Sequence, residues 1–240
     1  MFKKVGVFGK HHRESVADTV SAVAHTLTDL GAELTIAQES IDTTSFRTQP
    51  LKEMIQDIDL LVVVGGDGSL IHAARKAAEA NKPIVGINRG RLGFLTDIAP
   101  QDAKKELAKI LAGKFKAEKR TLLESWVTPP AETNSKPYLA LNDVVLFPSD
   151  TAQMIEFEVY VNDALAFEQR SDGLIIATPT GSSAYALSAG GPLVTPDARV
   201  FVLVPKCPHM LTSRPVAIED NSNIRIKILA NSAHPPPYEL

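Results

Sequence analysis

The stretch Asp59-Leu-Leu-Val-Val-Val-Gly-Gly-Asp-Gly-Ser-Leu70 constrains this chain more than any other. Asp57 to Val64 holds an apolar run without polar alternation, the pattern of a strand covered on both faces. The run stops at a glycine-rich turn. Beyond Ser69, the residues Leu70, Ala73, Ala74, Ala77 and Ala78 place one apolar stripe on a helix. A buried strand that turns tightly into an amphipathic helix is one βα step of a parallel sheet.

The flanking segments repeat that step. Residues 4 to 8 form an apolar strand ending at Gly9. Val16, Val20, Val23, Leu27 and Leu30 then recur at helical spacing before Gly31, a C-terminal stop. Glu33 to Ala37 and Pro83 to Ile87 supply two more strands, and a helical stretch covers Asp102 to Gly113. After this the character changes. Lys116 to Val127, Tyr138 to Phe147, Met154 to Val161, Ala164 to Gln169 and Gly173 to Ala177 read as short strands, with Asn162-Asp163 as a tight turn. Pro129 to Asn134 reads as a surface loop. The expected organisation is an α/β domain with a parallel sheet over residues 1–113, then a β-rich domain over 114–240.

Composition narrows the partners. The chain has 240 residues, with 25 basic and 28 acidic side chains and a formal charge of -3, which does not match a nucleic-acid or anionic-membrane binder. Nowhere do about 18 apolar residues run together, and no secretory signal is visible at the start. Cys207 is the single cysteine, so no intrachain disulfide can form and a cytoplasmic location is expected. The six histidines do not fall at zinc-ligand spacings, so no fixed protein metal site is expected.

The turn Gly65-Gly66-Asp67-Gly68-Ser69 is the candidate phosphate cradle. Glycines let backbone amides approach phosphate oxygens, and a helix N-terminus favours anions. A carboxylate there repels phosphate unless it holds a metal ion or takes a proton from an attacking hydroxyl. The alternative is that Asp67 only caps the helix. The turn is neither the G-x-G-x-x-G dinucleotide fingerprint nor a Walker A loop. A second stretch, Arg170 to Pro192, opens from a strand into Thr178-Pro-Thr-Gly-Ser-Ser183. It suits a flat polar ligand such as adenosine; a Ser/Thr turn that only satisfies its own backbone is the alternative.

Gly65-Gly66-Asp67-Gly68-Ser69 resembles the signature shared by NAD kinases, diacylglycerol and sphingosine kinases and 6-phosphofructokinases. Asp172-Gly with Thr178-Pro-Thr-Gly-Ser-Ser-Ala-Tyr185, Ser188 and Gly190-Gly-Pro192 resembles the second hallmark of NAD kinases. Gly86 to Asp97, Leu141-Asn142-Asp143, Met154 to Tyr160, Gly191 to Pro196, Pro208-His209 and Ser213-Arg214-Pro215 also resemble that family. The resemblance implies an NAD kinase / diacylglycerol kinase-like fold and phosphorylation of NAD on its adenosine ribose 2′-hydroxyl. ATP would be the donor, Mg²⁺ or another divalent cation would accompany it, and NADP would be the product.

By that resemblance Asp67 is the general base, with Gly65, Gly66, Gly68 and Ser69 as the phosphate cradle. Asn142 and Asp143 match the pair that grips the adenosine part, Asp143 standing where Glu is usual. Arg170 and Asp172 match ligand contacts, and Thr180, Gly181, Ser183, Ala184, Tyr185, Ala186, Leu187 and Ser188 match the nucleotide wall. His72 and Gln153 occupy positions that often make contacts. The family implies a homodimer or homotetramer and a further strand beyond the point matching Leu240, so the chain is expected to be short at its C-terminus. The rival readings are a sugar or lipid kinase with the same cradle, or a non-catalytic NAD(P)-binding module. A lipid kinase would need a membrane-facing surface, which is not evident, and a phosphofructokinase would need additional sugar-phosphate arginines and has no place for the segment Arg170 to Pro192.

Overall fold

The computed structural model describes residues 2–10, 14–41, 45–89, 93–96, 98–127, 137–148 and 154–229. The chain divides into two compact units, Met1–Ala117 and Glu118–Leu240.

In the first unit the apolar strands β1 (Lys4–Gly9), β2 (Glu33–Ala37), β3 (Thr48–Gln49), β4 (Leu60–Gly65) and β5 (Ile84–Asn88) form one sheet. Their order is β3-β2-β1-β4-β5, and every pairing is parallel. β4 is buried at all positions, as its unalternating sequence requires. One face of the sheet presents Val5, Val7, Val62 and Val64 to Val20, Val23, Ala24 and Leu27 of α1 (Glu14–Asp29). Leu107 of a later helix joins the same core. Each such Val or Leu side chain, fully buried, stabilises the fold by about 1.5–3 kcal/mol relative to exposure. Gly31 closes α1 in the left-handed region, with Ala32 N–H donating to the Leu27 carbonyl and Gly31 N–H to that of Thr28.

Some boundaries differ from expectation. Asp57 does not open a strand; it closes α2 (Leu51–Asp57), whose Leu51, Met54 and Ile55 are buried at helical spacing. The helix after the glycine turn, α3 (Asp67–Glu79), starts at Asp67 rather than after Ser69. A further helix, α4 (Ala103–Leu111), falls within the expected helical stretch.

The second unit is antiparallel. Of the expected strand Lys116 to Val127, only β6 (Leu123–Ser125) forms, paired with β7 (Tyr138–Ala140). The expected strand Tyr138 to Phe147 is broken at Leu141-Asn142 and resumes as β8 (Asp143–Leu146). β9 (Ile155–Val161) and β10 (Ala164–Ser171) are joined by the Asn162-Asp163 turn, both residues having positive φ, as a type I′ hairpin turn requires. β11 (Gly173–Ala177) is followed by a 3-10 turn (Thr180–Ser183) and one α-helical turn, α5 (Tyr185–Ser188), then β12 (Val200–Lys206), β13 (Val216–Glu219) and β14 (Ile224–Ile228). These make sheets β13-β12-β11-β8 and β10-β9-β14. β11 is buried on both faces: Leu174 and Ile176 join Phe157, Val159 and Ile226, while Ile175 and Ala177 join Ala186 of α5. The loop at Pro129 to Asn134 and Gln153 lie outside the described residues.

Candidate active site

β4 delivers the chain to Gly65, and α3 begins two residues later. A Cβ built on Gly66 or Gly68 meets nothing within 4 Å, so open space borders the first turn of α3 at both positions. A helix N-terminus with such space beside it suits an anion. Ser69 and Gly65 complete the turn.

Asp67 does not cap its own helix. Its Oδ2 accepts from Phe94 N–H at 2.9 Å; its Oδ1 accepts from Leu95 N–H at 3.1 Å and the Thr96 hydroxyl at 3.3 Å. Gly93 makes this possible, because a Cβ there would lie 2.2 Å from Asp67 Oδ1. The carboxylate is thus oriented by a loop 27 to 29 residues downstream.

His72, one turn along α3, stacks on Phe8 with ring centroids 5.8 Å apart. Burial, then the nearby Lys76, Arg75 and Lys10, push its imidazole below the ordinary range, against an opposing pull from Glu39. Both effects favour the neutral form of the ring.

In the second unit, the turn after β11 is locked onto the break between β7 and β8. Thr178 N–H donates to the Asn142 carbonyl at 2.8 Å, and its hydroxyl donates to the Leu141 carbonyl at 2.5 Å. The same hydroxyl accepts from Gly181 N–H at 3.1 Å. Gly181 packs so closely that a Cβ would meet the Asn142 carbonyl oxygen at 2.0 Å. The Ser/Thr turn therefore partly satisfies its own backbone. Ser182 donates to the Pro179 carbonyl and Ser183 to that of Thr180, whereas the Thr180 hydroxyl accepts from Arg120 at 3.5 Å.

Against this scaffold the Asn142 side-chain oxygen is buried without a hydrogen-bond partner, an acceptor that a ligand donor would satisfy. Beside it, burial raises the Asp143 carboxyl above the ordinary range.

Asn142, Asp143, Thr180, Gly181 and Ser183 are thus brought together at the C-terminal end of β11. Arg170 and Asp172 are not: they precede its N-terminal end, roughly 13 Å away at about 3.3 Å per residue. Arg170 is exposed and pairs with Glu156 at 3.5 Å. Asp172 donates its N–H to the Lys206 carbonyl. α5 turns back over β11 and β12, burying Ala186 against Val202 and Val204 and leaving Tyr185 and Leu187 exposed. Ala184 and Ser188 flank that exposed surface. Sequence reasoning singled out neither Gly93 and Thr96 as partners of Asp67, nor Thr178 and Arg120 as supports of the wall. The signal for Gly93 lay in the glycine-punctuated loop, but its partner could not be read there.

Among the described residues no three His, Cys, Asp or Glu side chains converge to hold a metal ion, and no helix is long and apolar enough to cross a membrane.

Residues 5–115 match the family model for the ATP-NAD kinase N-terminal domain, and residues 141–235 that for the ATP-NAD kinase C-terminal domain. The chain is 45% identical over 236 residues to an NAD kinase of Photorhabdus laumondii subsp. laumondii, covering 96% of this chain and 80% of the relative. It is 44% identical over 229 residues to an NAD kinase of Klebsiella pneumoniae subsp. pneumoniae, covering 94% and 78%. Among solved structures, a yeast NADH kinase complexed with NADH superposes with a TM-score of 0.87 at 25% identity, covering 94% of this chain and 72% of that one. An NAD kinase from Archaeoglobus fulgidus in complex with ATP gives 0.74 at 30% identity, covering 94% and 80%. With both of its domains matched and close to half of its residues shared with curated relatives, this chain belongs to the NAD kinase family.

Proposed function

We propose that this protein transfers the γ-phosphoryl group of ATP to the 2′-hydroxyl of the adenosine ribose of NAD, giving NADP, with Asp67 as the general base. The observation that carries the assignment is the state of Asp67. Two of its three hydrogen bonds fall on Oδ1 and one on Oδ2, so Oδ2 keeps acceptor capacity for the ribose proton. The open space beside Gly66 and Gly68 gives a phosphate room at the first turn of α3. Phosphoryl transfer asks little covalent chemistry of the protein. Positioning and charge stabilisation carry the rate, and a weak base suffices if the proton leaves late.

In this reading Asn142 and Asp143 hold the adenosine part, Asn142 through its unpaired oxygen. Thr180, Gly181, Ser183, Ala184 and Tyr185 form the nucleotide wall, and Arg170 and Asp172 contact the dinucleotide from the other end of β11. The yeast relative's complex with NADH and the archaeal relative's complex with ATP support these two ligand classes. A divalent cation bound with ATP would be held by the phosphates and would offset their charge; Asp67 is the carboxylate that the chain itself places within the cradle. We further propose a cytoplasmic homo-oligomer, a dimer or a tetramer.

One coupled assay tests the reading. The purified protein is given ATP, Mg²⁺ and NAD, and NADP is detected with an NADP-specific dehydrogenase. Steady NADP formation is expected. NAD binding without any NADP would instead identify a non-catalytic NAD(P)-binding module.

A further inference from the structure

Lys206 closes β12 directly opposite Gly173 of β11, a register partner without a side chain. Its carbonyl accepts the Asp172 N–H at 3.0 Å, tying it to the N-terminal end of β11. Its ammonium lies 5.1 Å from the centroid of the Tyr185 ring, within cation–π range. Among the described residues no carboxylate forms an ion pair with Lys206. Tyr185 is 43% exposed and opens a four-residue helix that is anchored beneath by Ala186 alone. A ring so exposed is held only in part by packing, and a cation over one face favours one orientation of it.

We propose that Lys206 is a positioning residue for the dinucleotide: it holds the Tyr185 ring of the nucleotide wall in the orientation that receives NAD, and it links that ring to Asp172. This rests on the assignment of Tyr185 to the wall. The ammonium acts through the ring and takes no part in phosphoryl transfer, so its loss weakens binding rather than chemistry.

The test compares wild type, Lys206→Met, which keeps an unbranched stem without the charge, and Lys206→Arg, which keeps a cation for the ring. Lys206→Met is expected to raise the KM for NAD about two- to five-fold at nearly unchanged kcat, the size of a partly exposed cation–π contact. Lys206→Arg is expected to restore the wild-type KM, and all three proteins should melt together. An unchanged KM in Lys206→Met, or an equal rise in Lys206→Arg, overturns the proposal. A wild type that binds NAD but makes no NADP fails the kinase reading alone, and calorimetric Kd values for NAD then decide Lys206 by the same criteria. A wild type that does not bind NAD overturns both.

Discussion

Asp67 accepts its three hydrogen bonds from Phe94, Leu95 and Thr96, so its orientation is set by a loop and not by its own helix. Replacing it with Asn keeps one oxygen acceptor and turns an N–H₂ group towards a backbone donor. Asp67→Asn is therefore expected to bind NAD, to lose about 1 kcal/mol of stability, and to turn over about 10²–10⁴-fold more slowly. Calorimetry and the coupled assay read these separately; near-normal turnover would remove Asp67 from the base role.

Asp143 poses a different residue-scale question. Burial holds its folded carboxyl above the ordinary value of 3.8, so the native state binds the proton more tightly than the unfolded one. Stability from this group is full below pH 3.8 and is lost as pH rises through the folded value. Asp143→Asn should raise Tm at pH 7 while raising the KM for NAD, and the Tm gain should vanish below pH 3.8. A Tm gain that persists unchanged into acid would show that the charge is not its source.

At the scale of elements, two loops are fitted through glycine to groups distant in the chain, one a side chain and one backbone. The loop before β-bridge residue Ile98 meets α3 at Gly93, where a Cβ would stand 2.2 Å from the Asp67 carboxylate. Gly93→Ala is expected to leave the circular dichroism spectrum intact while lowering kcat on the order of 10²-fold, because the base is displaced. The turn after β11 meets the β7–β8 break at Gly181, against the Asn142 carbonyl oxygen. Gly181→Ala is expected to cost about 1–3 kcal/mol, read as a lowered Tm, because both partners are main chain and neither can move aside cheaply.

For the whole molecule, each unit carries one hallmark: the cradle in Met1–Ala117 and the nucleotide wall in Glu118–Leu240. A ligand bound only by the folded chain stabilises it by mass action, about 2.7 kcal/mol at a hundred times Kd. NAD at that level should raise Tm by about 5–10 °C. A Tm indifferent to NAD would contradict the proposed wall.

What the sequence alone determined is what repeats along it or is spelled within one element. The unalternating run into Gly65, closed by a glycine-rich turn, has the pattern of a strand covered on both faces, and Gly31 could end α1 because glycine tolerates a φ of +81°. The Asn162-Asp163 turn was legible for the same reason. The hallmarks at Asp67 and Thr178 were legible as motifs of a family. Short elements such as α2, and β12 to β14 beyond the last motif-bearing strand, escaped because brief apolar runs do not distinguish helix from strand. The partners of Asp67, the double role of the Thr178 hydroxyl, the orphaned oxygen of Asn142 and the ammonium of Lys206 over Tyr185 were decided only by tertiary structure. The bonds of Asp67, that of Thr178 to Leu141 and the Lys206–Tyr185 contact each join residues well apart in the chain. Periodicity reports which face of an element is buried, but only the pairing of strands and the path of loops decides which groups then meet.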